Sequence, residues 1–173
     1  MWFDVILIAV LFICVITDLK NRKIYNKVIF PTLLIAFLSH LLTGGWDQLL
    51  SAVGGFFLGL LLLLIPYLLG GIGAGDVKLL AVVGALKGST FVLYTTLYMA
   101  IAGGLIGVLI ISFRKDTPAK LKASLNYMIG LTQGIEMPSP ITKELFSGTY
   151  PYGVAIASGA LFHLIFQGQV ILW

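Results

Sequence analysis

Long apolar runs dominate this chain and restrict what it can fold into. Six such runs are separated by glycine-rich or polar segments. Unpaired backbone groups are costly in hydrocarbon, so an apolar segment that crosses a bilayer in a chain of this kind is helical. The sequence therefore predicts an all-α, polytopic membrane protein with six transmembrane helices. The runs cover residues 2–17, 28–43, 49–69, 77–86, 90–113 and 150–173.

Composition supports a membrane protein. The chain is 59% hydrophobic and 10% charged, with a mean hydropathy of +1.04, whereas soluble domains carry about 25% charged residues. Its 173 residues predict a single membrane-embedded domain over residues 1–173. The N-terminus has no basic region and no small-residue cleavage site, so we expect a retained helix rather than a signal peptide.

Two segments depart from the pattern of full-length runs. The fourth run has ten residues, which at about 1.5 Å per residue span only about 15 Å, half of a hydrocarbon core. We expect neighbouring helices to shield it. Residues 119–134 form a loosely amphipathic stretch that is predicted to lie along the cytoplasmic membrane surface.

Basic residues predict the orientation. Ten of the eleven lysines and arginines lie in the segments that follow the first, third and fifth runs, and only Lys87 lies on the other side. Cytoplasmic loops carry such an excess, so both termini are expected outside. The ten are Lys20, Arg22, Lys23, Lys27, Lys78, Arg114, Lys115, Lys120, Lys122 and Lys143.

A glycine-rich segment places a carboxylate at the edge of the fourth run. Four glycines fall within residues 70–75, and Asp76 follows them directly. An ionisable residue beside an apolar run is a functional candidate. Asp18 ends the first run at the same predicted face, so it is the expected partner of Asp76. Two simpler interpretations remain open: Asp76 as a helix N-cap, and Asp18 paired with Lys20 or Arg22.

The other five acidic residues have water at hand in the predicted topology. Asp4 and Asp47 are expected to be solvated on the outer side, and the rest fall in the polar segment after the fifth run. The glycines near Asp76 suit the close approach of an extended peptide, although a plain turn is the alternative. The acidic residues in the polar segment are Asp116, Glu136 and Glu144.

No metal or cofactor is expected. Cys14 is the single cysteine, and His40 and His163 are far apart in sequence, which argues against a disulfide and a zinc cluster. His40 is expected to be solvated and His163 to be a buried hydrogen-bonding residue. Phosphate-binding and dinucleotide motifs are absent, and no nucleic-acid partner is expected. Lys78 is interpreted as a membrane anchor or a local counter-charge.

Three motifs resemble those of the prepilin peptidases, membrane aspartyl proteases marked by a G-x-G-D sequence. Residues 73–76 read G-A-G-D, and Asp18 is followed by Ile24-Tyr25-Asn26 where the family has I-P-N. Residues 151–157 resemble the family's P-[FY]-G-x-A segment. The resemblance implies substrate-binding roles for Gly73, Gly75, Pro151, Tyr152 and Gly153, and supporting roles for Asn26 and Lys78.

The resemblance also implies an activity. Asp18 and Asp76 would form an aspartyl dyad that removes the basic leader of a type IV pilin-like precursor at the cytoplasmic face of the bilayer. Because Asp76 begins a helix, where the dipole favours an anion, it is expected to be the ionised base, with Asp18 as the acid. Bifunctional members carry an insertion with two cysteine pairs. Its absence argues against N-methylation and favours the short type found with Flp/Tad-like pili or archaellin-leader peptidases.

Two other functions remain as alternatives. A presenilin-like or signal-peptide-peptidase-like protease shares the G-x-G-D element but holds its aspartates deeper in long helices, whereas Asp18 lies at a basic helix end. A small ion-coupled transporter could use both aspartates as ion sites. Transporters tend to show internal repeats and broken helices, and the chain shows neither.

Overall fold

The prediction of an all-α fold is confirmed for the part of the chain that the structure describes. The computed structural model describes residues 2–68, 71–113 and 152–170, with side chains as far as 105 and 166 in the last two ranges. Within these ranges there are helices and short connections and no strand. The helices are α1 (Trp2–Asn21), α2 (Asn26–Leu68), α3 (Ala74–Lys87), α4 (Ser89–Phe113) and α5 (Tyr152–Val170).

The expected count of six transmembrane helices is not confirmed. The second and third predicted runs both lie in α2, where two helical halves meet at Gly45, whose φ of 64° and ψ of −153° are not helical. The chain reverses there, as expected for a turn at residues 44–45, because Asn26 and Gly59 contact α3 near its start whereas His40 and Gly55 contact it near its end. Among the described helices, α1 and α2 are long and apolar enough to cross a membrane.

The turn between α1 and α2 is shorter than the basic loop predicted for residues 19–27. Helix α1 continues to Asn21, and α2 begins at Asn26, so only residues 22–25 lie between them. Arg22 adopts a left-handed conformation with φ 53°. Its N–H donates to the Asp18 carbonyl at 2.8 Å, which closes the last turn of α1. Asp18 consequently lies in the last turn of α1, at the helix end where the sequence predicted it.

Helix α3 is the buried centre of the fold. Its residues from Val77 to Leu86 are buried with the exception of Lys78, as expected for a short apolar run that its neighbours shield. The helix packs mainly against α2. At this crossing Gly55 and Gly84 face each other so closely that a Cβ on either one would overlap the backbone of the other. Small residues allow this approach between membrane helices.

Gly103, Gly104 and Gly107 lie on the fifth predicted run, where small residues at these spacings also suit close approach between helices. A Cβ on Gly104 would meet no atom of the described residues within 4 Å. Gly107 lies outside the residues whose side chains are described.

The end of α3 at Lys87 is held by contacts to α1 and α2. Lys87 Nζ lies 2.5 Å from Asp4 Oδ1, and His40 Nε2 lies 3.3 Å from the Leu86 carbonyl oxygen. The His40 ring also stacks on Phe3 with centroids 4.2 Å apart. The expectation that Asp4 and His40 are simply solvated is therefore wrong.

The chain divides into two compact units. Residues 1–103 and 151–173 form the first unit, and residues 104–150 form the second. Within the first unit His163 is buried and packs against the rings of Phe91 and Tyr94. The amphipathic stretch predicted for residues 119–134 lies outside the described residues.

Candidate active site

Asp18 and Asp76 line the same pocket. Asp18 lies in the last turn of α1 and Asp76 in the first turn of α3, and their exposed fractions are 8% and 9%. The pocket has a volume of about 370 Å³. The structure thus brings together two carboxyl groups that are 58 positions apart (76 − 18) in sequence. The pocket is lined by Asp18, Arg22, Lys23, Ile24, Tyr25, Asn26, Gly73, Ala74, Gly75 and Asp76.

Asp18 is bound by the start of α5. The backbone N–H of Gly153 donates to Asp18 Oδ2 at 3.0 Å, and this hydrogen bond is buried. The bond connects the end of the first helix to the beginning of the last described one. It explains why a segment so far along the chain belongs to the site.

Asp76 is held by its own helix end. Gly73 is the N-cap of α3, so the interpretation of Asp76 as an N-cap is wrong. The Gly73 N–H donates to Asp76 Oδ2 at 3.3 Å, as in a capping box, where the third helical residue reaches back. The second carboxyl oxygen, Asp76 Oδ1, is buried and has no hydrogen-bond partner within the described ranges.

The electrostatics of Asp76 favour its protonated form. Burial, with a smaller contribution from the charge of Asp18, raises the pKa of Asp76 from 3.8 to about 7, although the N–H groups of Gly73 and of Asp76 itself act in the opposite direction. Burial therefore outweighs the helix N-terminus, whose dipole contributes only about 0.3–1 kcal/mol at exposed sites. The expectation that Asp76 is the ionised member of the pair is opposed by this result.

The glycines beside Asp76 allow the two walls of the pocket to meet. A Cβ on Gly75 would lie 2.9 Å from Ile24 Cβ, and one on Gly73 would lie 3.1 Å from Asp76 Oδ2. Gly75 therefore admits the turn between α1 and α2. Gly73 leaves room for the carboxylate that caps it.

The supporting residues lie beside the pocket. Lys78 Nζ donates to Asn26 Oδ1 at 3.0 Å, which ties the first turn of α3 to the first residue of α2. Lys78 is thus bonded to a neighbouring amide and does not line the pocket. Tyr152 is partly buried and lies within electrostatic reach of Asp76. Pro151 lies outside the described residues.

Sequence reasoning missed part of the pocket wall. Arg22 and Lys23 line the pocket, but the sequence treats them only as indicators of membrane orientation. Their position directly after Asp18 was the available signal. With a left-handed residue at the end of α1, the chain turns back across the carboxylates, and this places both side chains at the rim.

The arrangement suits acid–base chemistry by two carboxyl groups. When two carboxyl groups share a site, their repulsion leaves one protonated and one ionised, which provides an acid and a base. Among the described residues no group of three or more His, Cys, Asp or Glu is arranged to hold a metal ion. The pocket lies where the end of α1 and the start of α3 meet.

Comparison with known proteins gives two matches. The model of the type IV leader peptidase family matches residues 5–108. The prepilin leader peptidase/N-methyltransferase of Bacillus subtilis (strain 168) is 31% identical over 106 residues, which cover 60% of this chain and 42% of that protein. The chain thus spans less than half the length of this relative. No solved structure matches the chain. The family match includes Asp18 and Asp76 and ends before Gly153.

Proposed function

The chain belongs to the type IV leader peptidase family, and from this premise we propose that it is an aspartic endopeptidase for pilin-like precursors. It removes the basic leader at the cytoplasmic face of the membrane. The observation that carries the proposal is the pair formed by Asp18 and Asp76, two buried carboxyl groups on one pocket. Both lie within the residues that the family model matches.

The reaction requires one carboxylate and one carboxylic acid. The carboxylate takes a proton from a water molecule, whose oxygen attacks the carbonyl carbon of the scissile peptide bond. The carboxylic acid gives its proton to the carbonyl oxygen. The raised pKa of Asp76 supports such a division, because it favours the protonated form of one of the two groups up to about pH 7.

The two apolar helices and the family indicate a membrane protein. We further propose six membrane segments. The 43 residues of α2 supply about 65 Å of helix at about 1.5 Å per residue, roughly twice the hydrocarbon thickness of a bilayer. The reversal of the chain at Gly45 therefore suits two crossings by α2. The excess of basic residues near the pocket supports a cytoplasmic site with both termini outside.

The position of the carboxyl groups favours a leader over a membrane helix as the segment that is cut. Asp18 lies in the last turn of its helix and Asp76 in the first turn of another. The junction between a precursor's polar leader and its apolar helix would lie at this depth. A protease that cuts within the bilayer would need its carboxyl groups nearer the middle of long helices.

We propose peptidase activity without N-methylation. The name of the Bacillus subtilis relative includes an N-methyltransferase, but this chain matches only part of that protein. Cys14, which is buried in α1, is the single cysteine of this sequence. The two cysteine pairs associated with methylation therefore have no counterpart in it. Mass spectrometry of the matured precursor would show an unmethylated N-terminus, and a methylated one would contradict this part of the proposal.

The dyad is tested by leader removal from a co-expressed pilin-like precursor. We expect Asp18→Asn and Asp76→Asn each to lower the cleavage rate at least ~1,000-fold, in line with losses at other essential catalytic groups. Asp47→Asn is the matched control, because Asp47 is exposed on α2 and does not line the pocket. It should cleave like the wild type.

Two outcomes would contradict the proposal. Leader removal at a near-normal rate by either aspartate variant would exclude the dyad. Proton-coupled uptake by the purified protein in liposomes, without proteolysis, would favour a transporter. Folding of each variant is checked by its elution from a sizing column in detergent, so that loss of activity is not confused with loss of structure.

A further inference from the structure

The first turn of α5 contacts Asp18 in a way that assigns roles to the two carboxyl groups. Gly153 is the second residue of α5, so its N–H has no acceptor within its own helix. It donates instead to Asp18 Oδ2 at 3.0 Å. We propose that Gly153 is a positioning residue that holds Asp18 as the ionised base and leaves Asp76 as the protonated acid. This inference rests on the proposed peptidase function.

Helix geometry explains why Asp18 needs such a donor. Asp18 lies in the last turn of α1, where the negative end of the helix dipole disfavours an anion. The first turn of α5 presents the positive end of another dipole together with a free N–H. A hydrogen bond to a charged acceptor is stronger than one between neutral groups. Gly153 therefore opposes the cost that burial and α1 place on a charge at Asp18.

The contact requires glycine at position 153. A Cβ there would lie 2.7 Å from Asp18 Oδ2, 3.1 Å from Cγ and 3.2 Å from Cβ. Any side chain at position 153 would push the carboxylate away from the N–H that binds it. The lack of a side chain is thus a condition for the 3.0 Å hydrogen bond.

Asp76 takes its backbone donors, the N–H groups of Gly73 and of Asp76 itself, from its own helix end. The N–H of Gly73 lies 3.3 Å from its Oδ2, and its Oδ1 is buried without a partner in the described part of the chain. Burying a charged oxygen without a donor is costly, whereas a protonated carboxyl carries a hydrogen that it can donate. The two carboxyl groups therefore differ in preferred protonation state as the reaction requires: Asp18 favours the ionised form and Asp76 the protonated form.

The assignment gives a balanced reaction. Asp18 takes a proton from water as the water oxygen bonds to the carbonyl carbon, and Asp76 gives its proton to the carbonyl oxygen. The resulting gem-diol collapses as the carbon–nitrogen bond breaks. Asp18 then passes its proton to the leaving nitrogen, and one hydroxyl of the gem-diol returns a proton to Asp76. The dyad ends in its starting state.

Other titratable groups also face Asp18, and a variant at position 153 leaves each of them in place. Arg22 and Lys23 are exposed at the pocket rim, where water and salt screen their charges. Helix α2 contributes only the neutral Asn26 to the pocket lining. The groups are Cys14 from α1, Arg22, Lys23 and Tyr25 from the turn, and Asp76 from α3, while Tyr152 from α5 lies within electrostatic reach of Asp76.

The test is the pH dependence of cleavage by Gly153→Ala in the full-length protein. Loss of the N–H bond favours the protonated form of Asp18, so the acidic limb of the kcat/KM profile should move up by about one pH unit. We expect the maximal rate to fall at least ~10-fold. Gly159→Ala is the matched control on α5, because its Cβ would lie 2.6 Å from the Thr95 carbonyl oxygen, away from both carboxylates. It should lower stability and leave the acidic limb in place.

An unmoved acidic limb in folded Gly153→Ala would overturn the inference and leave the peptidase function intact. Failure of the wild type to cleave the precursor, or full activity in Asp18→Asn, would instead reject the proposed function itself. If Gly153→Ala does not fold, infrared titration decides. Against the double Asn variant, the carboxyl left in Asp76→Asn should ionise at lower pH than the carboxyl left in Asp18→Asn. The reverse order would refute the assignment.

Discussion

The two ends of α3 hold their charges in opposite ways. Helices α1 and α3 run in opposite directions, because the start of α1 meets the end of α3 and the end of α1 meets its start. At one end Asp4 and Lys87 form an ion pair. At the other end Asp18 and Asp76 place two carboxyl groups on one pocket.

The difference separates a structural contact from a chemical one. Opposite charges at the Lys87 end neutralise each other, and the contact holds two helices in register. Like charges at the Asp76 end repel, so this contact costs stability unless one group is protonated. Asp76 Oδ1 is also buried without a donor from the described residues, a cost to stability that a purely structural role for the pair does not explain.

The largest expected effect is on the pH dependence of stability, to which the carboxyl pair contributes at the Asp76 end of α3. The pKa of Asp76 is raised from 3.8 to about 7, so between these values the folded protein holds a proton that the unfolded chain releases. Rising pH through this window therefore lowers the free energy of unfolding, on the order of a few kcal/mol. Asp76→Asn should remove this contribution and flatten the pH dependence, as measured by unfolding in detergent at pH 4.5 and pH 7. An unchanged slope would show that Asp76 titrates normally, and Asp47→Asn is the control.

A second prediction concerns the packing of α3, the helix that connects the two ends, against α2. Gly84→Ala would force the α2–α3 crossing apart, because its Cβ would overlap the Gly55 carbonyl. We expect a loss of about 1–3 kcal/mol in unfolding free energy. Cleavage should also fall, because α3 carries Asp76. Gly104→Ala meets no atom of the described residues within 4 Å and is the control that should cost nothing. Equal stability of the two variants would mean that the close crossing is not required.

The smallest effect concerns the ion pair. Asp4→Asn and Lys87→Met should each lower the unfolding free energy by about 1 kcal/mol, because the pair is partly exposed. The double variant should cost less than the sum of the two, as for any interacting pair. Cleavage per folded molecule should remain that of the wild type. A cleavage defect in these variants would show that the two ends of α3 are not independent.

Much of the fold follows from local pattern. Apolar runs bounded by glycine and charge predicted the helical segments, and the short buried helix before Lys87 was among them. The break between the second and third runs at residues 44–45 was among them as well. The partners of Asp4 and His40 were missed, since their contacts lie on helices that sequence spacing does not relate.

The two carboxyl groups were evident in the sequence by themselves, because an acid at the end of an apolar run is rare and glycines beside Asp76 are local features. What each carboxyl group does depends on the tertiary structure. Gly153 reaches Asp18 across 135 positions of chain, and burial, rather than the helix end, raises the pKa of Asp76. Burial and long-range donors exist only once the helices have packed, and the balance of charge between the two aspartates is a property of that packing.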